Sequence, residues 1–297
     1  MLDTKIETFL MICKYMNFTK AAEELHLTQP AVSSQMKRLE DYYGSPLFHY
    51  ENKQLTLTEV GEVLYTTMKK MRNEETDLEE EIQLIKTKRR DLKFGATRTI
   101  GEFLLADPIM NYLKQFPDSS ISMQVANTQS LLKQLDEGML DFAFIEGNYT
   151  QSLYHSAPFQ NSRFIAVCGR NCELKEGTHH LEDLFDERLI IREEGSGTRD
   201  IFETILTNKH HDLSEFSSLV EIGNMNAIKE LLLRSVGISF LYEDVVKKEL
   251  EEHQLFEITL DDFDVYHQMN VVWRKEKEHI QIIEEFLNVI HNEKKPF

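Results

Sequence analysis

The residues best suited to recognition chemistry lie between Phe18 and Leu39, in FTKAAEELHLTQPAVSSQMKRL. Gln29, Ser33, Ser34, Lys37 and Arg38 set an amide, two hydroxyls and two cations on one helical face, with Thr28 and Pro30 at its start. An amide can donate and accept at the edge of adenine, and cations hold phosphates, so this face suits a DNA major groove. Val32, Met36 and Leu39 recur at i, i+4, i+7 behind it and make a buried stripe. An ordinary amphipathic surface hairpin has the same pattern, and this stretch alone leaves both readings open.

A second set is Glu194-Gly195-Ser196-Gly197-Thr198, between an expected strand and an expected helix. Two glycines allow a tight turn, and amides at a helix N-terminus, with the Ser196 and Thr198 hydroxyls, favour an anion. A plain helix cap accounts for the same residues. Thr97 and Thr99, with Ile100 beside them, follow an expected strand at the corresponding end of the other half, and Asn127-Thr128 follow the next strand. A lining this polar and poor in aromatics points to a small oxyanion or carboxylate. Cys168-x3-Cys172 lies near His179-His180, which suggests zinc or a thiol switch. One buried and one surface cysteine would read the same way. No P-loop, GxSxG elbow, HExxH or strand-linked GxGxxG is present, so the expectation is a protein that is not an enzyme, with no metal and no cofactor.

These groups need elements to hold them. Residues 2–16 have amphipathic helical spacing. Thr19 can cap a short helix through Leu25, His26-Leu27 leaves room for a turn, and Thr28 can cap a second helix with Pro30 in its first turn. Gly44 suits a left-handed C-cap, and 49–57 reads as a hairpin with Asn52-Lys53 at its tip. Three helices and two strands make a winged helix-turn-helix. Thr58 can cap a helix over 59–88 in which Leu64, Met71, Leu78 and Ile85 repeat every seven residues, with Met68 and Ile82 between. That seam predicts pairing with a second chain, although Gly61 and Glu75 interrupt it and a long solvated helix is the alternative.

From Leu92 strands and helices alternate: strands at 92–97, 121–125, 142–145, 163–168, 189–192, 219–222, 238–241 and 267–273, with helices over 100–116 and 130–137 among those between. The pattern predicts mostly parallel sheet covered on both faces, in two lobes with a ligand cleft outside the carboxyl ends of the strands. The fold class is therefore α/β.

The formal charge of -18 excludes a chain coated in positive potential. Residues 1–58 hold six Lys/Arg against seven Asp/Glu, so the remaining 239 carry -17. Any DNA contact must be local. Three cysteines without framework spacing fit a reducing compartment, and neither a signal peptide nor an apolar run of membrane length is visible. The expected location is the cytoplasm.

The ordered set Phe18, Ala21-Ala22, Leu25, Gln29-Pro30-Ala31-Val32-Ser33, Leu39-Glu40, Gly44, Pro46-Leu47-Phe48 and Leu57-Thr58 closely resembles the LysR-type transcriptional regulators. REEGSGTR at 192–199 resembles the GSGTR-bearing subset. The resemblance implies a winged helix-turn-helix over 1–58, a linker and dimerisation helix over 59–89, and a two-lobed effector domain similar to periplasmic binding proteins over 90–297. Its lobes would span about 90–161 with 267–297, and about 162–266. It implies double-stranded promoter DNA, further copies of the chain in a homodimer or homotetramer, and RNA polymerase as partners, and a small-molecule co-inducer. Carried over by position, Gln29, Pro30, Ser33 and Ser34 would approach bases, Thr28, Lys37 and Arg38 would hold phosphates, and Lys53 would lie at the wing tip. Thr97, Thr99, Ile100, Asn127, Thr128, Gly147, Gly195, Ser196, Gly197 and Thr198 would line the effector cleft, Gly147 where the chain passes between lobes. Two departures stand out: His49-Tyr50 in place of the usual acid and arginine of the wing, and Val60 in place of alanine before Gly61.

Overall fold

The computed structural model describes residues 2–51, 54–87, 89–147, 149–275, 277 and 281–293. Asn52 and Lys53, the expected hairpin tip, lie outside the described residues. The chain forms two compact units, Met1–Thr87 and Lys88–Phe297.

In the first unit, helix α1 (Thr4–Tyr15) is capped by Asp3, and α2 (Phe18–Glu24) by Asn17. This corrects the assignment of Thr19 as cap. Asn17 is extended and its side-chain oxygen accepts the amides of Thr19 and Lys20 at 2.9 and 3.0 Å, so Thr19 already lies in the first turn as a donor. Helix α3 (Gln29–Tyr43) starts as expected, with the Thr28 hydroxyl accepting from Ala31 and Pro30 in the first turn, and ends at Gly44 with φ 67°. Phe9 and Ile12, Ala21, Val32 and Met36 meet in its core. The Thr8 hydroxyl donates to Gln35 Oε1 at 2.5 Å, a polar tie between α1 and α3.

Strands β1 (Phe48–Glu51) and β2 (Gln54–Leu57) pair antiparallel as the wing. Glu40 accepts the Leu47 amide at 2.8 Å, and the Thr58 hydroxyl donates to the Pro46 carbonyl while accepting the Gly61 amide, both at 2.9 Å. These bonds fix the hairpin root and start helix α4 (Glu59–Thr87). Of the heptad residues, Leu64 is buried in this unit's own core, whereas Met71, Leu78, Ile82 and Ile85 are exposed.

The second unit begins with β3 (Asp91–Ala96), followed by helices α5 (Arg98–Phe103) and α6 (Ala106–Gln115). One helix over 100–116 was expected; the break at Leu104-Leu105 has a cause in Pro108, which has no N–H to continue the α5 ladder. Then come β4 (Ser120–Val125), α7 (Thr128–Asp136) and β5 (Phe142–Ile145). The chain continues through β6 (Tyr154–Gly169), β7 (Thr178–His179), β8 (Arg188–Ile191), α8 (Gly197–Asn208), β9 (Ser218–Glu221) and α9 (Met225–Leu233). It closes with β10 (Ile238–Tyr242), α10 (Glu243–Glu251), β11 (Leu255–Leu260), β12 (Val265–Arg274) and α11 (Gln281–Glu293).

The sheet order is β4-β3-β5-β12-β6-β10-β8-β9, with β11 joining β6 and β7. Its wings are parallel, as expected, but its centre is not: β12 runs antiparallel to β5 and β6, and β6 antiparallel to β10 and β11. Strand β6 is sixteen residues long, not six, because Tyr154–Arg163, polar and interrupted by Pro158, is held as strand by β12. The register shifts between Met269 and Asn270, a bulge opposite Phe159 beside that proline. Phe94, Phe142, Phe144 and Phe286 form one aromatic core at ring separations of 5.0 to 6.1 Å, and Phe202 stacks on Phe240 at 4.1 Å in the other lobe.

Gly61 tests the first unit. A Cβ there would lie 2.2 Å from the Leu47 carbonyl oxygen and 2.9 Å from Leu57 Cδ2. Gly61→Ala should cost about 1–3 kcal/mol through overpacking despite the better helix propensity of alanine. Thermal unfolding of the full chain would show a lowered transition, and an unchanged one would mean that the wing yields freely.

Candidate DNA-reading face and effector cleft

On the first unit Thr28, Gln29, Pro30, Ser34, Lys37 and Arg38 are exposed and Ser33 is half-buried, while Val32, Met36 and Leu39 of the same helix are buried. Gln29 Nε2 donates to Ser33 Oγ at 2.9 Å, which holds the amide against the helix and aims it before any ligand arrives. The Thr28 hydroxyl is used as an acceptor in the cap, so its own proton remains free to donate. A concavity of about 590 Å³ runs along this face, lined by Asn17, Thr19, Gln29, Ser33 and, from the wing, Tyr50. None of these three is expected on this face from sequence: Thr19 reads there as a helix cap, Tyr50 as a departure in the wing, and Asn17 is not singled out. Tyr50 is 72% exposed, and its place opposite α3 depends on the hairpin register.

In the second unit four loops separated by up to about 100 residues converge. The Thr99 and Thr198 hydroxyls lie 3.3 Å apart, and Thr198 Oγ1 donates to Glu146 Oε1 at 3.4 Å. A Cβ on Gly197 would fall 2.8 Å from Glu146 Cγ and 3.1 Å from the Gly147 amide, so the start of α8 and the chain after β5 approach as closely as only glycine allows. A Cβ on Gly195 would meet Asn127 Nδ2 at 3.9 Å. Asn127 caps α7 by accepting from Ser130, while Thr128 Oγ1 has no partner among the described residues. Ser196 and Thr97 occupy N-cap positions of α8 and α5, yet neither makes a side-chain cap bond. Their buried hydroxyls are unpartnered among the described residues. Ser196 thus does not act as a plain cap. Ile100 differs from the others, since its side chain is fully buried in the apolar core.

Glu146, Arg192 and Arg98 complete this seam and were missed. Glu146 is 1% exposed and Arg192 also buried; Arg192 forks onto Glu193 at 2.7 and 3.0 Å, and among the described residues Glu146 Oε2 and Arg192 Nη1 have no partner. Arg98 binds the Gly223 carbonyl and lies 3.6 Å from Glu193, joining α5 to the opposite lobe. Burial pushes the Glu146 carboxyl up to about 7, against the Thr99 and Thr198 hydroxyls and the Arg192 charge, which favour ionisation. Burial also acts on Glu193, but its bonds to Arg192 bring it below the usual carboxylate range. The available signal for Glu146 was an acid directly after the wholly apolar strand FAFI. Arg199, in contrast, is bound to Glu203 and Glu221, both at 2.6 Å.

Cys168 is buried at the end of β6 and Cys172 half-buried in the turn after it. A hydrogen bond between the thiols holds Cys168 protonated and lowers Cys172 to about 7. The nearby histidines lie elsewhere: His180 pairs with Asp261 at 2.7 Å, and His179 with the Glu176 carbonyl at 2.9 Å. Among the described residues the one group with metal-ligand proximity is exposed His180, Asp261 and Asp262, which contains neither cysteine. No helix among them is long and apolar enough to cross a membrane.

Residues 4–62 match the bacterial regulatory helix-turn-helix protein family, lysR type, and residues 86–295 match the LysR substrate binding domain. The transcriptional activator CmpR of Synechocystis is 30% identical over 294 residues, covering 96% of this chain and 93% of its own. Among solved structures, a full-length OxyR variant from Pseudomonas aeruginosa superposes with a TM-score of 0.69 at 22% identity, over 98% of this chain and 95% of that one. The Synechocystis CcmR regulatory domain, solved in complex with 2-PG, does so with a TM-score of 0.62 at 20% identity, over 70% and 98%. An N-terminal helix-turn-helix with its amide, hydroxyl and cation face, followed by a two-lobed α/β effector domain, places this chain in the LysR family of DNA-binding transcriptional regulators, which are not enzymes.

Proposed function

We propose that this regulator reads promoter DNA through the exposed face of α3 and changes its grip when a small anion enters the cleft between the lobes of the second unit. Gln29, Ser33 and Ser34 approach base edges beside Pro30, while Thr28, Lys37 and Arg38 hold phosphates; Lys53 extends the contact from the wing. The domains on this reading are 1–58, 59–89 and 90–297, and the exposed seam of α4 pairs with a second copy. Met71, Leu78, Ile82 and Ile85 support that pairing, because an exposed apolar stripe at heptad spacing gains stability only when a partner covers it. RNA polymerase is the partner on the promoter that the regulatory role requires.

The observation that carries the effector is the set of buried polar atoms without partners among the described residues, Thr97 Oγ1, Thr128 Oγ1, Arg192 Nη1 and Ser196 Oγ, around the Thr99–Thr198 contact and the N-terminus of α8. Leaving such groups unpaired costs about 1–3 kcal/mol each, which a ligand of complementary chemistry recovers. Hydroxyls, a guanidinium N–H and a helix N-terminus are donors, so the complement is an oxyanion or small carboxylate. The complex of the similar CcmR domain with 2-PG is consistent with that class.

Gln29→Ala should weaken binding to the specific operator by about 1–3 kcal/mol and leave random DNA nearly unaffected; equal losses on both in a gel-shift titration would remove the base-reading role. Titrating small oxyanions and carboxylates should raise Tm of the wild type but not of the Thr99→Ala/Thr198→Ala variant, and a flat response from every anion would exclude the class. Leu78→Glu with Ile85→Glu should shift the chain toward monomer in sedimentation while both units stay folded, whereas an unchanged assembly would place pairing elsewhere.

A further inference from the structure

The cleft holds one group that does not suit an anion site. Glu146 sits at the contact between lobes, 1% exposed, with Oε1 taking a bond from Thr198 at 3.4 Å and Oε2 unpartnered among the described residues. A carboxylate there would repel any oxyanion bound to Thr97, Thr128 and Ser196. A carboxylic acid would instead add a donor to a set consisting of donors.

We propose that Glu146 takes part in effector recognition as a neutral carboxylic acid whose O–H donates to the bound anion, so that effector and proton enter the cleft together. The inference rests on the anion reading above. The proton comes from solvent, and no other bond is made or broken. The groups facing Glu146 set the balance. Arg192 at the end of β8 favours the ionised form, but its guanidinium is already forked onto Glu193, which Arg98 also approaches. Tyr242 at the end of β10 is buried, neutral and near enough for its charge to matter if it formed. His267, at 3.1 Å from the Tyr242 hydroxyl, is held neutral by burial. Arg192 and Arg98 thus share the single carboxylate of Glu193 and part of the Arg192 charge still favours ionisation, but burial outweighs it and brings the Glu146 carboxyl up to about 7, close to neutral pH. An anion placed beside Glu146 raises it further, because like charges disfavour a second ionisation. The site then selects anions able to accept a hydrogen bond and binds them less tightly as pH rises. An amine-bearing effector would do the opposite, using the ionised form and releasing a proton.

The test compares the full-length wild type with Glu146→Gln, which keeps the shape and a donor, and Glu146→Leu, which is neutral without one. Without ligand, a folded-state pKa above the unfolded value gives stability that is complete below about 4.5 and lost as pH rises through about 7. The Tm of Glu146→Gln relative to wild type should therefore climb between pH 5 and 8. With sulfate or acetate as probe, neither of which titrates between pH 6 and 9, wild-type affinity should fall about tenfold per pH unit above 7. Calorimetry at pH 8 in buffers of different ionisation enthalpy should show close to one proton taken up. Glu146→Gln should bind with no pH dependence and Glu146→Leu weakly throughout. A pH-independent Tm difference, pH-independent wild-type affinity, or proton release on binding would each overturn the proposal while leaving an anion or amine site in place. Absence of binding by any probe, with the ligand-free Tm difference present, would instead defeat the anion reading and the recognition role with it.

Discussion

The second unit depends on one antiparallel pairing, that of β6 with β12. Each strand runs through both lobes, so the parallel strands on either side are parts of one hydrogen-bonded sheet. The loops after β3, β4, β5 and β8 can meet only because this pair fixes where the two wings of sheet end. The bulge at Phe159 and Asn270 falls midway along it, where an unpaired residue bends and twists the strands. Thr99 and Thr198, ninety-nine positions apart, are in contact as a result.

The convergence produces a polar interior that the chain does not satisfy by itself. Among the described residues, hydroxyls at two helix starts forgo their usual capping bonds, and a carboxyl and a guanidinium retain unpaired atoms. Buried polar groups are nearly always paired in folded proteins, so a cluster of exceptions calls for an explanation. Gly147 and Gly197 permit the close approach, and the same approach removes Glu146 from water. Packing and protonation are thus two consequences of a single contact between lobes.

The first unit solves a different problem. The surface proposed to read DNA carries little excess charge, since residues 1–58 are close to neutral, so its geometry matters more. Rigidity comes from ties behind the face: Thr8 to Gln35, Glu40 to Leu47, Thr58 to Pro46 and Gly61. The Gln29–Ser33 bond adds order on the face itself, which on the proposed DNA-reading role lowers the side-chain entropy lost on binding.

Much of this was legible in the chain. Short-range signals fixed the first unit, because caps and left-handed glycines act within four residues and the buried stripe of α3 within three turns. Among the caps Thr19 was misplaced, since Asn17 offers an equal cap two residues earlier. The apolar run FAFI was readable as a buried strand for the same reason, being uniform, and ISFL at 238–241 as a strand despite Ser239. What local pattern could not supply was pairing at a distance. Residues 154–163 carry polar groups and a proline and become strand only against β12, and the sheet centre turns antiparallel with them. The threonines and glycines of the cleft could be proposed from their positions after strands. That Ile100 faces the core, that Ser196 leaves its cap bond unmade, and that Glu146 is sealed beside them were decided by tertiary structure alone, because desolvation belongs to the assembled neighbours and not to the residue.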